Sequence, residues 1–283
     1  MPTQHCTEFH TQGFTVVRRG LPQRVIQNLQ KDCDAFIDRT YNHCDLLTHA
    51  GCVIETISAF GSNDMPSKEH PCRRFVDDFF LERSGILDRT SLKGIDEALF
   101  HIVPSLLRQH EILPLDTPSF SLMNEQYIVK PPRSAHASVF DWHQDSQYMN
   151  DSVRFIPQVA IWAPLDPVNE DNGTVWVRPF PNSHQEAEKN TSIPPDEFSN
   201  WHTRLGKESL RNPCPPVPIL ASPGDILLLS PHVFHHSLGN ASDQERRVWM
   251  PQYASRPIME PSLGSLHPLA LAISCPQGDL KNL

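Results

Sequence analysis

The sequence predicts a mainly β fold of the sandwich or jelly-roll type, with helices near the N-terminus packed outside the sheets. Three observations predict it. Proline occurs 27 times in 283 residues, about twice average usage, and each proline removes a helix hydrogen bond, which disfavours a helical bundle. Helical periodicity is confined to the first part of the chain. After Pro114 the pattern changes to short extended runs separated by Pro, Gly, Asn and Asp.

In chain order, Val25, Ile26, Leu29, Cys33, Phe36 and Ile37 fall near helical spacing, and Pro22 stands near the first turn, where a missing N–H is tolerated. This predicts a helix over 21–37. A second helix is expected from about Ser91 to Leu107, with Ile95, Leu99, Ile102 and Leu106 on one face and Pro104 bending or ending it. The segment between them, including Arg73 to Leu87, is expected to be helical in part. Strands are predicted at Phe120–Val129, Val153–Ile161, Thr174–Val177, Asp225–Leu229 and Val248–Tyr253. Glu186 to Pro218, with Pro194, Pro195, Pro213, Pro215, Pro216 and Trp201, reads as an irregular loop, either a lid or an exposed insertion. The whole chain, 1–283, is expected to form one domain, with a helical part over about 1–115, a β core over about 116–256 and a tail over about 257–283.

Hydrophobic residues make up 39% and charged residues 20% of the chain, which supports a sizeable core and excludes disorder by composition. The longest apolar run, near Ile226 to Leu229, is far too short to cross a bilayer. The net charge of -9 and the absence of any Lys/Arg stripe exclude nucleic acid and anionic membranes as expected partners. A small molecule is the expected partner, with a homodimer as the protein–protein association considered. The seven cysteines contain no CxxC pair, so reduced thiols are expected rather than a disulfide framework or structural zinc. No targeting signal is recognised, and the cytoplasm is the expected compartment.

The sharpest local feature is Trp142-His143-Gln144-Asp145, because side chains two apart in extended structure point the same way and can meet one ion. A second histidine would complete the two-histidine, one-carboxylate set of non-haem iron oxygenases, which leaves coordination positions open. Pro223 to Leu229 reads as a turn and a buried strand leading into Pro231-His232-Val233-Phe234-His235-His236-Ser237. Adjacent residues alternate in direction, so at most one of His235 and His236 joins the set, and periodicity leaves the choice open. Arg246-Arg247 opens the following strand, and one guanidinium facing inward could hold a dicarboxylate.

The ordered set His143-Gln144-Asp145, Asn172-Gly173, Pro181-Asn182-Ser183-His184, Gly224-Asp225 and His235-His236-Ser237-Leu238-Gly239-Asn240 with Arg246-Arg247 resembles the phytanoyl-CoA dioxygenase family of Fe(II)/2-oxoglutarate oxygenases. Phe9 to Ile37 is similar to the family's N-terminal strand and helix, and Lys130-Pro131-Pro132 stands where a Lys-Pro pair is common. The resemblance implies a double-stranded β-helix, a cupin-like jelly roll, as the core. It implies Fe(II), 2-oxoglutarate and O2 as the reacting set.

By the same resemblance His143 and Asp145 are iron ligands, and His235 is the third, standing two before Ser237 and five before Asn240. His236 then faces away. Arg246, eleven residues past His235, is implied to hold the cosubstrate's distal carboxylate, with Ser237 near it. Gln144, Trp162 and Lys130 match cosubstrate-pocket positions, and Thr174 and Tyr253 are looser matches there. Phe140, Trp142, Tyr148, Phe234 and Tyr253 are the candidates to frame a substrate. The chain departs from the family's Pro-Gly-Ser-His, having a longer Arg178-Pro179-Phe180-Pro181-Asn182-Ser183-His184 with Asn182 in place of glycine, so the loop beside the substrate is expected to differ. His184 is expected at the rim rather than on the metal. Retention of Asp145 argues against halogenation.

The expected function is oxidation of a C–H bond of a small natural-product or lipid-like molecule, by hydroxylation, desaturation or rearrangement, with release of succinate and CO2. A CoA thioester fits an acidic chain less well. The competing expectation is a metal- or ligand-binding jelly roll without turnover.

Overall fold

The computed structural model of the protein describes residues 2–40, 47–48, 51–55, 95, 97–114, 120–149, 154–181, 198–255 and 273–274. The helix expected within Arg73–Leu87, the first part of the 186–218 loop and His184 lie outside the described residues.

The chain opens with a helix the periodicity did not predict, α1 (Gln4–Gln12), capped by the Thr3 side chain accepting from the Cys6 N–H and closed by Gly13 at φ 83°. A Cβ at Gly13 would lie 2.8 Å from the Phe180 ring and 2.9 Å from Val233, so glycine is required on two counts. Strand β1 (Phe14–Val17) and helix α2 (Gln23–Thr40) follow, and α2 buries Val25, Ile26, Leu29, Cys33 and Phe36 along the predicted stripe. Short strands β2 (Leu47–Thr48) and β3 (Val53–Glu55) come next.

Pro104 neither ends nor breaks the second predicted helix. A π-helical turn over Ala98–Ile102 precedes it, and α3 (Val103–Gln109) continues past it. The Val103 N–H bonds Ala98 O, and Pro104 falls in the first turn of α3, where a missing N–H costs little.

The remaining elements are β4 (Ser121–Lys130), β5 (Phe140–His143), a 3-10 turn over Asp145–Tyr148, β6 (Gln158–Pro164), β7 (Val175–Arg178), helix α4 (Phe198–Arg211), β8 (Val217–Pro218), β9 (Ile226–Leu229), β10 (Phe234–Ser237), β11 (Arg246–Ala254) and β12 (Ile273–Ser274). All pairings among the described residues are antiparallel. The major sheet runs β1-β9-β6-β11-β4-β3-β2 with β12 beside β4, and the minor sheet runs β5-β10-β7-β8. Part of the expected C-terminal tail is therefore a strand of the major sheet.

Alternation along the major sheet builds two cores. Val159, Ile161 and Ala163 of β6, Ile226 and Leu228 of β9, and Trp249 and Tyr253 of β11 pack under α2 and α3. Ala160, Trp162, Leu227, Leu229, Val248 and Met250, the intervening residues, face Val175 and Val177 of the minor sheet. The result is an antiparallel jelly roll with helices on one outer face, the class the sequence predicts.

The reading of Glu186–Pro218 as irregular is corrected over its described part. Residues 198–211 form α4, which buries His202, Leu205 and Ser209. The helix is tied into the body by polar contacts: Trp201 Nε1 donates to His10 O at 3.1 Å, the His202 and His10 rings meet at 3.2 Å, and His202 Nδ1 lies 2.7 Å from Ser230 Oγ. Ser230 also accepts from the His232 N–H, and Thr203 Oγ1 lies 3.3 Å from His232 Nε2. Docked this way, α4 is part of the frame rather than a lid. No helix among the described residues is long and apolar enough to cross a membrane.

Candidate active site

β5 and β10 are neighbours in the minor sheet, and their register sets His143 opposite His235. The two rings lie 4.2 Å apart at their centroids. On β10 alternation turns His235 and Ser237 into the interior, while the His236 ring stacks on Trp142 at 4.1 Å. Extended backbone continues through Gln144, and Asp145 follows as the first residue of the 3-10 turn. Asp145 Oδ1 lies 3.8 Å from His143 Nε2 and 3.6 Å from His235 Nε2.

Both imidazoles are oriented by backbone two residues upstream. His143 Nδ1 lies 2.7 Å from Asp141 O and His235 Nδ1 lies 3.1 Å from Val233 O. A carbonyl oxygen only accepts, so each Nδ1 carries the proton and each Nε2 presents its lone pair. Burial favours the neutral form of His235, with the nearby Asp145 carboxylate acting in the opposite sense. Asp145 is oriented in turn by Gln252, whose Nε2 donates to Oδ2 at 3.3 Å, leaving Oδ1 toward the histidines. Gln252 belongs to no motif and comes to light only through the structure. His143, Asp145 and His235 each offer one atom, all within 4.8 Å of one another, and could hold a metal ion. Two imidazole nitrogens and a carboxylate suit a divalent transition metal such as iron.

The triad opens into a cleft of about 560 Å³, counting the solvent-open space at its mouth. Its walls are mostly apolar: Val53, Ile128, Phe140, Trp162, Val175, Leu229 and Met250. Gln126, His236, Ser237 and Arg246 line it as well. Arg246 is 1% exposed, and the β4–β11 register places it opposite the fully buried Lys130. Like charges opposed in a buried ladder repel. Burial and the nearby guanidinium push the Lys130 ammonium down to about 6, and burial pushes Arg246 down to about 10.

Lys130 Nζ donates to Ser237 Oγ at 2.7 Å and to the Leu238 carbonyl. Arg246 Nη2 donates to Gly173 O at 3.0 Å, while its Nε and Nη1 meet no acceptor among the described residues. Buried donors without acceptors are costly, so this end of the cleft is built for an anion. The Arg246 guanidinium also sits 5.8 Å from the Trp162 ring centroid.

Three candidates from the sequence are corrected. Gln144 does not face the cleft: its Nε2 donates to His232 O, because a residue between two inward-facing neighbours points away from them. Thr174 is buried with its hydroxyl on Ile219 O at 2.5 Å, outside the cleft. Tyr253 lies in the core under the helices, and its hydroxyl donates to Leu99 O at 2.8 Å. Tyr148 is 63% exposed with its ring 6.0 Å from His143, at the rim.

The profile of the phytanoyl-CoA dioxygenase (PhyH) family matches residues 9–248. The chain belongs to the phytanoyl-CoA dioxygenase family. It is a 2-oxoglutarate-dependent dioxygenase, dependent on Fe(II) as cofactor and on 2-oxoglutarate and O2 as cosubstrates. Among solved structures, EctD from S. alaskensis with 2-oxoglutarate and 5-hydroxyectoine superposes at TM-score 0.57 with 16% identity, over 98% of this chain and 86% of that one. The non-heme alpha ketoglutarate dependent carbocyclase SnoK from nogalamycin biosynthesis gives 0.54 and 12% over 97% of both chains. EvdMO1 gives 0.55 and 17%, and the match covers 88% of this chain but only 49% of that one, so the chain spans about half its length. At these identities the likeness is one of fold. No curated protein matches the chain significantly.

Proposed function

We propose that this dioxygenase oxidises a C–H bond of a small organic molecule, coupling R–H, O2 and 2-oxoglutarate to R–OH, succinate and CO2 or, where the second oxygen atom leaves as water, to a desaturated or rearranged product. The observation that carries the reading is the unsatisfied Arg246 guanidinium in the same cleft as the His143, Asp145 and His235 triad. In this reading the triad holds Fe(II), and the Arg246 guanidinium receives the distal carboxylate of 2-oxoglutarate, with Ser237 and Trp162 beside it. With both bound, Fe(II) would activate O2, the oxidant, and 2-oxoglutarate would supply two of the four electrons that reduce it, leaving as succinate and CO2.

The chain's own residues do the rest. The Asp141 and Val233 carbonyls fix the histidine tautomers, and Gln252 fixes the Asp145 carboxylate. The apolar walls keep water from the reacting centre. Phe140 on the cleft wall and Tyr148 at its rim frame the substrate. The apolar cleft, and likeness to SnoK from nogalamycin biosynthesis, favour a natural-product or lipid-like substrate.

The test is succinate release across a metabolite panel in the presence of Fe(II) and 2-oxoglutarate. His143→Ala and His235→Ala are expected to abolish it and to lose metal binding, while His236→Ala, whose ring lies on Trp142, is expected to retain both. Full activity of His235→Ala would sink the assignment.

A further inference from the structure

The inner face formed by β4 and β11 changes character along its length. Register sets Arg246 opposite Lys130, Val248 opposite Ile128, Met250 opposite Gln126 and Gln252 opposite Asn124. Both basic residues thus stand at one end, an apolar band follows, and three uncharged amides occupy the end beside Asp145. Gln252 is in use, holding Asp145. Gln126 lines the cleft with its hydrogen-bonding capacity largely unspent. Its Nε2 donates to Met250 Sδ, a weak acceptor, at 3.4 Å, and its Oε1 accepts from Asn124 Nδ2 at 3.4 Å. Both Gln126 and Asn124 are partly exposed, as side chains facing a cleft are.

We propose that Gln126, backed by Asn124, is the specificity-determining group of this site and selects an uncharged substrate, an apolar body carrying a hydroxyl, carbonyl or amide. The proposal rests on the oxygenase reading above and adds the substrate's charge class to it. Charge decides against the alternatives. Apart from the histidines, the ionised groups among the described lining residues are Arg246, which the cosubstrate occupies, and Asp145, which the metal occupies. A carboxylate or phosphate seated at Gln126 would meet no counter-charge among the described lining residues, and an ammonium would compete with the metal for Asp145. A neutral oxygen or amide meets both a donor and an acceptor on the Gln126 amide, while Ile128, Phe140 and Met250 cover the apolar body.

The test is binding without turnover, on protein loaded with Mn(II) and 2-oxoglutarate under anaerobic conditions. The probes share one skeleton: cyclohexanol, cyclohexanecarboxamide, cyclohexanecarboxylate and cyclohexylamine, read by saturation-transfer NMR. The alcohol and carboxamide are expected to bind about tenfold or more better than the charged pair, because a charge seated there without a partner costs more than one hydrogen bond returns. Gln126→Leu is expected to weaken the alcohol and carboxamide by about tenfold, the worth of one well-made hydrogen bond, and Gln126→Glu to turn the preference toward the amine, each with its urea midpoint confirming the fold. Equal or better binding of the carboxylate or amine by the unmodified protein, failure of every probe to bind, or undiminished alcohol and carboxamide binding in Gln126→Leu would overturn the proposal. Failure of the oxygenase reading itself would show separately, as absence of 2-oxoglutarate binding to the Mn(II)-loaded protein.

Discussion

The histidines joining α4 to the body make stability depend on pH in a way one substitution isolates. His232 is buried, with Thr203 on its ring, Ser230 on its N–H and the positive charges of Arg154 and Lys207 nearby. Burial chiefly, and those charges, push its pKa from 6.5 down to about 4. A base whose folded pKa is depressed takes up its proton more readily when unfolded. Its stabilising contribution is therefore complete above about pH 6.5, falls as the pH drops, and is fully lost below about 4. Between pH 7.5 and pH 5, values of 6.5 unfolded and about 4 folded give a loss of about 2 kcal/mol from this one side chain. His232→Gln keeps a hydrogen-bonding partner for Thr203 and cannot titrate. Urea denaturation of the metal-free protein at pH 7.5 and 5 should show the unmodified chain losing about 2 kcal/mol more than the variant across that interval. Groups that the substitution leaves in place contribute alike in both proteins and cancel in the comparison. Equal pH dependence in the two proteins would refute the reasoning.

Arg246→Met removes the only guanidinium among the described residues that line the cleft and is expected to weaken 2-oxoglutarate binding by about 10- to 100-fold, measured by calorimetry on Mn(II)-loaded protein. Tyr253→Phe deletes the hydrogen bond to Leu99 on the far side of the sheet; it should cost about 1 kcal/mol in urea unfolding and leave 2-oxoglutarate affinity unchanged. Gly173→Ala forces a side chain onto φ 78° with its Cβ 2.6 Å from Leu238 O, so a loss of at least about 1 kcal/mol is expected, together with displacement of the carbonyl that Arg246 holds.

The parts of the fold that the sequence announces are those whose burial is simplest. Strands β6 and β9 are covered on both faces and read as unbroken apolar runs, and α2 carries a clean stripe. The two strands that carry the metal-binding histidines are ones that periodicity missed. β5 is Phe-Asp-Trp-His and β10 is Phe-His-His-Ser, where metal-binding and polar groups occupy positions a propensity rule would fill with valine or isoleucine. Helix α4 escaped for a related reason, since its buried side includes His202 and Ser209, which hydrogen-bond inside the protein but read as loop residues in sequence.

The misplaced site residues share one physical cause, the two-residue alternation of extended chain. Arg246 faces the cleft, so Val248, Met250 and Gln252 face inward with it, and Tyr253, of opposite parity, turns to the helical side. Val175 lines the cleft, so Thr174 before it turns out to Ile219. His143 and Asp145 converge on one point, so Gln144 between them is driven toward His232. Motif likeness named these residues by position along the chain, while the sheet sorts them by parity. The same sorting brings forward Gln126 and Gln252, two unremarked glutamines that share the face of Arg246 and so stand where the metal ligand and the substrate need them.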